Sequence, residues 1–114
     1  MTRTAITMAA LLVSGQAAAQ DMTLNGVART VSLVNAIYNC GQYYPVDTAL
    51  LERFDRAFND VGEKVAVKEG QNWHAILRAE IERRHQEVVA TGLPFWCSYQ
   101  REIPTNKQFF KRRN

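Results

Sequence analysis

Apolar residues recur every three or four positions through most of the chain, which is the spacing of an α-helix with one buried face. The first such segment runs from about Leu24 to Asn39, and its apolar face is wide, as in a helix that packs against two neighbours. The second begins at Asp47 or Thr48, since either side chain can accept a hydrogen bond from the first helical N–H groups. We expect this second helix to end or kink at Gly62.

A third helix is predicted from its capping residue Asn72 to the terminators Gly92 and Pro94. The stretch 63–71 before it is ambiguous, because its valines alternate, as in a strand, and also continue the four-residue spacing of the preceding helix. A single short strand would have no partner, so we favour a helix or a turn there. The sequence therefore predicts an all-α fold, a small bundle of three main helices. The aromatic segment after Pro94 is either irregular or a short fourth helix.

The N-terminal residues have the order of a bacterial secretory signal peptide. Arg3 supplies a positive charge, residues 5–13 form an apolar run, and small residues ending in Ala19 provide a cleavage site before Gln20. The apolar run is too short to cross a membrane, which takes roughly 20 residues. We therefore expect export to the periplasm or out of the cell, without a transmembrane anchor. The chain then divides into a signal peptide (1–19), a helical disulfide-linked domain (20–103) and a basic aromatic tail (104–114).

Both cysteines, Cys40 and Cys97, fall in the part expected to be exported, where disulfides persist. Two cysteines allow one intrachain pairing, so we predict a bond between them. The bond would tie the end of the first helix to the segment after the third. Because it restricts the unfolded chain, it would stabilise the thin core of a small domain by about 4 kcal/mol.

The sequence carries no signature of catalysis, and we expect no metal and no cofactor. The two histidines, His74 and His85, would lie about 16 Å apart along one helix, too far to share an ion. Glu80 and Glu87 could form a carboxylate pair for hydrolysis, but arginines one turn away would keep both ionised and make them poor general acids. The formal net charge of +3 is too small to indicate a nucleic-acid partner.

Five aromatic residues flank the two cysteines, and the disulfide would draw them to one end of the bundle. They are Tyr43, Tyr44, Phe95, Trp96 and Tyr99. Rings at that place either fill the core or form an exposed patch for a partner, since tyrosine and tryptophan are enriched at interface hot spots. The aromatic end is therefore the first candidate partner surface.

The C-terminal tail is the second candidate surface, because no acidic residue follows Glu102. Its cations are Lys107, Lys111, Arg112 and Arg113, and Phe109 and Phe110 interrupt them. Such a tail either contacts an anionic surface, such as lipid headgroups or an acidic protein patch, or is a solvated terminus. In both cases the phenylalanines could pack back on the domain.

The general plan, an exported helical chain with one long-range disulfide between Cys40 and Cys97, resembles that of the small periplasmic acid-stress chaperones, although no residue motif is shared. Our prediction is a non-enzymatic protein-interaction or accessory module of the bacterial envelope, whose partner is another envelope or secreted protein. Two alternatives stay open. One is an acid chaperone that loosens and exposes its apolar faces when carboxylates are protonated. The other is a small cell-wall hydrolase that uses Glu80 and Glu87.

Overall fold

The computed structural model describes residues 23–111, and the predicted signal peptide, Arg112 and Arg113 lie outside this range. Within it the chain is all-α, as predicted, and the segment after Gly92 is a short fourth helix rather than irregular. No helix between residues 23 and 111 combines the length and the apolar character that a membrane span requires. The helices are α1 (Leu24–Tyr38), α2 (Thr48–Lys68), α3 (Trp73–Thr91) and α4 (Leu93–Glu102), with 3-10 turns at Asn39–Gln42 and Lys107–Phe109.

The first three helices each begin at a polar capping residue. Thr23, Asp47 and Asn72 accept a hydrogen bond from the backbone N–H three residues further on, at 3.0 to 3.1 Å. Each bond satisfies a donor that has no partner inside the helix, and its loss typically costs about 1 kcal/mol. The starts predicted at Asp47 and Asn72 are therefore confirmed.

The helix does not end at Gly62, which was one of the two predicted outcomes, because α2 continues through this residue to Lys68. Gly62 is buried, and a Cβ atom placed on it would lie 2.6 Å from Cζ2 of Trp73. The missing side chain lets the indole of Trp73 pack directly on the backbone of α2. The ambiguous stretch is thus helical up to Lys68 and turns at Gly70, whose φ of +69° favours glycine.

Helix α1 is the centre of the fold and packs against both α2 and α3, which touch each other far less. This explains its wide apolar face. Its first half contributes to one core cluster and its second half to another at the disulfide end. The first cluster contains Leu24, Val27, Ala28, Val31, Phe58, Ala66 and Trp73. The second contains Val34, Ile37, Cys40, Val46, Leu51, Trp96, Cys97 and Phe109.

The segment after α4 packs into the domain as far as Lys111. Phe109 is buried and meets the ring of Phe54 edge-on, with the centroids 5.0 Å apart. The backbone N–H of Asp47 donates to the carbonyl of Phe109 at 2.8 Å, and that of Lys111 donates to the carbonyl of Pro45 at 3.0 Å. Phe109 therefore fills part of the core, so the first part of the predicted tail packs back on the helical domain.

Candidate functional site

The predicted disulfide between Cys40 and Cys97 is present, with the two Cα atoms 5.6 Å apart. It joins the turn after α1 to the middle of α4. Both cysteines are fully buried. Thiol–disulfide exchange requires a thiolate to reach one of the sulfur atoms, so this bond has a structural role.

Helix α4 buries one face and exposes two aromatic rings on the other. Phe95 and Tyr99 are four residues apart and so share a face, and they are 75% and 66% exposed. On the inner side, Trp96 and Cys97 belong to the core. We call Phe95 and Tyr99 the α4 ridge. Apolar side chains that adjoin on the surface, rather than being scattered singly, are a mark of interaction sites.

Trp96 is not part of the exposed surface, which corrects its place in the predicted partner patch. Its side chain is buried among core residues, and its Nε1–H donates to Oε2 of Glu87 at 2.7 Å. A buried indole N–H without an acceptor would be costly, and this carboxylate satisfies it. For Trp96 the core-filling alternative is therefore the right one.

Tyr44 contacts other residues of the domain rather than the α4 ridge. The guanidinium of Arg101 lies 4.1 Å from the centroid of the Tyr44 ring, and Phe110 meets that ring edge-on at 6.4 Å. Arg101 follows Tyr99 by two residues, which places the two side chains about 160° apart around the helix. Tyr43 is 46% exposed. Of the five predicted aromatics, two thus form the α4 ridge, Trp96 belongs to the core and Tyr44 is engaged within the domain.

Two of the four predicted tail cations, Lys107 and Lys111, lie in the part of the tail that packs on the domain. Lys107 and Lys111 are exposed, as is Arg101. The other two predicted cations, Arg112 and Arg113, lie outside the described residues, so an anionic contact through the tail stays a prediction.

A charged cluster links α1, α3 and α4. Glu87 accepts hydrogen bonds from Trp96 Nε1, from Arg84 Nη1 at 3.2 Å and from Arg83 Nη1 at 3.4 Å. The Nε of Arg84 donates in turn to Oγ of Ser32 on α1 at 3.3 Å. We call Glu87, Arg83, Arg84 and Trp96 the Glu87 cluster. The contact between Trp96 and Glu87 was not predicted from the sequence, because it crosses the break between two helices and follows no helical spacing.

The charges of the Glu87 cluster stabilise each other. Burial lowers the pKa of the Arg84 guanidinium, and Glu87 opposes this effect. Desolvation alone would raise the pKa of Glu87, but the hydrogen bond from Trp96 and the charge of Arg84 outweigh it, so the pKa lies below its usual 4.5. An ionised carboxylate cannot donate a proton as a general acid, and Glu80 is likewise paired, with Arg83 Nε at 2.9 Å. These contacts argue against a hydrolase that uses Glu80 and Glu87.

The concave features of the described residues differ in size and shape. A groove between α1 and α3, lined by Arg84 and His85 among others, has a volume of about 150 Å³, and an open depression at the turn between α2 and α3, lined by Gly70 and His74 among others, has a volume of about 620 Å³. The second volume falls within the roughly 300–1,000 Å³ usual for ligand pockets, but an open depression covers less of a ligand's surface than an enclosed cavity does. His74 is exposed, with its Nε2 4.0 Å from a carboxylate oxygen of Glu63. Across residues 23–111, no three side chains of histidine, cysteine, aspartate or glutamate are grouped as metal ligands.

The α4 ridge and the Glu87 cluster behind it are therefore the features with a definite geometry on which a function can be argued. The ridge is exposed on α4, and the Glu87 cluster attaches the same short helix to α3 through the buried Trp96. No protein-family model matches the chain, and no curated protein or solved structure is significantly similar to it.

Proposed function

We propose that this protein is an exported, non-enzymatic interaction module that binds a protein of the bacterial envelope or a secreted protein through the α4 ridge. The observation that carries the proposal is the exposure of Phe95 and Tyr99, at 75% and 66%, on a helix whose other face is buried. Burying an apolar side chain contributes roughly 1.5–3 kcal/mol. Burying both rings against a partner would therefore contribute substantially to the free energy of association.

The α4 ridge is also well placed to bind without rearrangement. Residues on its inner face are fixed by the disulfide at Cys97 and by the hydrogen bond of Trp96. Side chains presented from a fixed backbone lose less conformational entropy on association. Aromatic residues in such positions are typical interface hot spots.

The spacing of the ridge indicates the shape of its partner. Glu102 is exposed three residues after Tyr99, so the outer face of α4 presents Phe95, Tyr99 and Glu102 at positions i, i+4 and i+7. This is the spacing with which a helix inserts into a groove of another protein. We propose an apolar groove with a basic residue at the end that meets Glu102.

Export is supported by two independent features. Residues 1–19 have the order of a signal peptide. The Cys40–Cys97 bond is of a kind that persists in the periplasm or outside the cell and is rare in the cytosol. Both features favour an envelope or secreted partner over a cytosolic one.

Site-specific photo-crosslinking tests the proposed surface. The photoreactive residue p-benzoylphenylalanine would replace Phe95 or Tyr99 in the native host, and Val67 in a matched control. Val67 is 79% exposed but lies near the end of α2. We expect positions 95 and 99 to form an adduct with the same partner protein, identified by mass spectrometry, and position 67 to form none with it.

The affinity for the purified partner gives the second part of this test. We expect the Phe95→Ala, Tyr99→Ala double variant to raise Kd by roughly 30-fold or more, the size of one strong hot spot. Val67→Ala should leave Kd within about twofold, since an isolated surface change has little effect. Adducts of equal yield at positions 67, 95 and 99, or an unchanged Kd in the double variant, would show that the α4 ridge is not the contact.

A further inference from the structure

The N-terminal half of α4 is held at two neighbouring residues by bonds of different chemistry. Cys97 is bound covalently to Cys40, whereas Trp96 is held by its hydrogen bond to the carboxylate of Glu87. Before them, Gly92 connects α3 to α4 with a φ of +92°. Of the two attachments, only the carboxylate can be switched by a proton.

The surroundings of Glu87 make its charge important to three helices. Arg83 and Arg84 on α3 both donate to it, and Arg84 extends to α1, where its Nη2 donates to the carbonyl of Arg29 at 3.4 Å. Glu80 pairs with Arg83 and, at 3.9 Å, with Arg29. The group that α4 contributes is the neutral indole of Trp96. Glu87 therefore provides the negative charge that Arg84 and Trp96 share.

We infer that Glu87 acts as an acid-sensitive latch on the α4 ridge: protonating its carboxylate weakens the hold on Trp96 and lets Phe95 shift while the disulfide keeps Cys97 in place. This inference concerns the regulation of the surface proposed above and so rests on that proposed function. In acid the partner would meet a less ordered ridge, and its affinity would fall.

Protonation removes the negative charge of Glu87, and this weakens its interactions with Trp96 and Arg84. A hydrogen bond to an ionised acceptor is roughly twice as strong as one between neutral groups, so Trp96 loses part of its attachment. The side chain of Arg84 is only 14% exposed and loses the opposite charge beside it. Because the pKa of Glu87 is lowered in the folded protein, the stabilisation is present above the usual value of 4.5 and is lost as the pH falls through the lower folded value.

The two tryptophans provide a test with an internal control and without any partner. Trp96 Nε1–H donates to a carboxylate, whereas Trp73 Nε1–H donates to the side-chain amide oxygen of Asn59 at 3.0 Å, which does not titrate. In NMR spectra of the oxidised protein recorded from pH 7 to pH 2.5, we expect the indole resonance of Trp96 to shift with a midpoint below 4.5. The backbone amide of Phe95 should follow the same midpoint, and the indole of Trp73 should shift far less.

The Glu87→Gln variant is the matched control, since it places a neutral side chain of the same size at the latch. We expect this substitution to abolish the shift of the Trp96 indole resonance at acid pH. A shift that persists in this variant, a Phe95 amide that does not follow Trp96, or a simultaneous collapse of both indole resonances would each overturn the inference. The spectra need no partner, so they can succeed where the crosslinking of the α4 ridge fails, and the reverse also holds.

Discussion

Replacing Cys40 and Cys97 together by alanine is expected to lower the free energy of unfolding by about 4 kcal/mol in the chain-entropy account. The two residues are separated by 57 positions, so the bond closes a long loop that the unfolded chain would otherwise explore freely. A small domain has a total stability of only about 5–15 kcal/mol. We therefore expect the variant to be close to unfolding at physiological temperature, as measured by urea denaturation followed by circular dichroism.

The wild-type chain, reduced under denaturing conditions and refolded with reductant, is the control for the lost side-chain volume. It keeps both sulfur atoms of the core but lacks the bond, and it should be more stable than the double alanine variant by about 1–3 kcal/mol, since each buried truncation of one heavy atom costs roughly 0.5–1.5 kcal/mol. If oxidised and reduced wild-type protein differed by less than about 1 kcal/mol, the disulfide would not be what stabilises the domain.

Trp96→Ala is expected to destabilise the protein by about 3–5 kcal/mol, the usual range for removing a large aromatic side chain from a core. The neighbouring changes Phe95→Ala and Tyr99→Ala should each stay within about 0.5 kcal/mol, since they alter exposed rings. The contrast follows from burial, because Trp96 is 2% exposed and Phe95 is 75% exposed. Thermal unfolding of the three variants at neutral pH measures this difference in stability directly.

Trp96→Phe separates the packing of this residue from its hydrogen bond. It keeps most of the ring in the core but removes the N–H donor to Glu87. We therefore expect a loss of stability that is smaller than that of Trp96→Ala and larger than that of Phe95→Ala. Equal stability of the Trp96→Ala and Phe95→Ala variants would mean that the orientation of α4 described above is wrong.

The features that the sequence predicted depend on local pattern. Asp47 and Asn72 were identified as caps because a short polar side chain before a periodic apolar segment bonds to the nearby backbone. The disulfide followed from counting, since Cys40 and Cys97 had no other partner within the chain. Such inferences need no knowledge of which helices pack together.

The features that the sequence did not predict depend on contacts between distant segments. Gly62 is typical of a helix end, but its role is to receive the ring of Trp73, which only the packing of α3 on α2 decides. In the same way, a run that contains Phe95, Trp96 and Tyr99 does not indicate which ring points inward. Burial of Trp96 is fixed by Glu87, nine positions earlier on another helix.

Tyr44 differs from the α4 ridge in that its ring has its contacts within the domain. The guanidinium of Arg101 lies over this ring, and Phe110 meets it edge-on. The ring of Tyr44 is therefore already engaged within the domain. Phe95 and Tyr99, which project outward, are the residues whose contacts a partner would have to supply.

The central claim is that one cross-link between Cys40 and Cys97 builds the end of the molecule from which the α4 ridge projects. The most direct measurement is alkylation of the protein taken from its native envelope, denatured without reductant and analysed by mass spectrometry. We expect that neither cysteine carries an alkyl group until the protein is reduced. Alkylation of both cysteines before reduction would contradict this expectation.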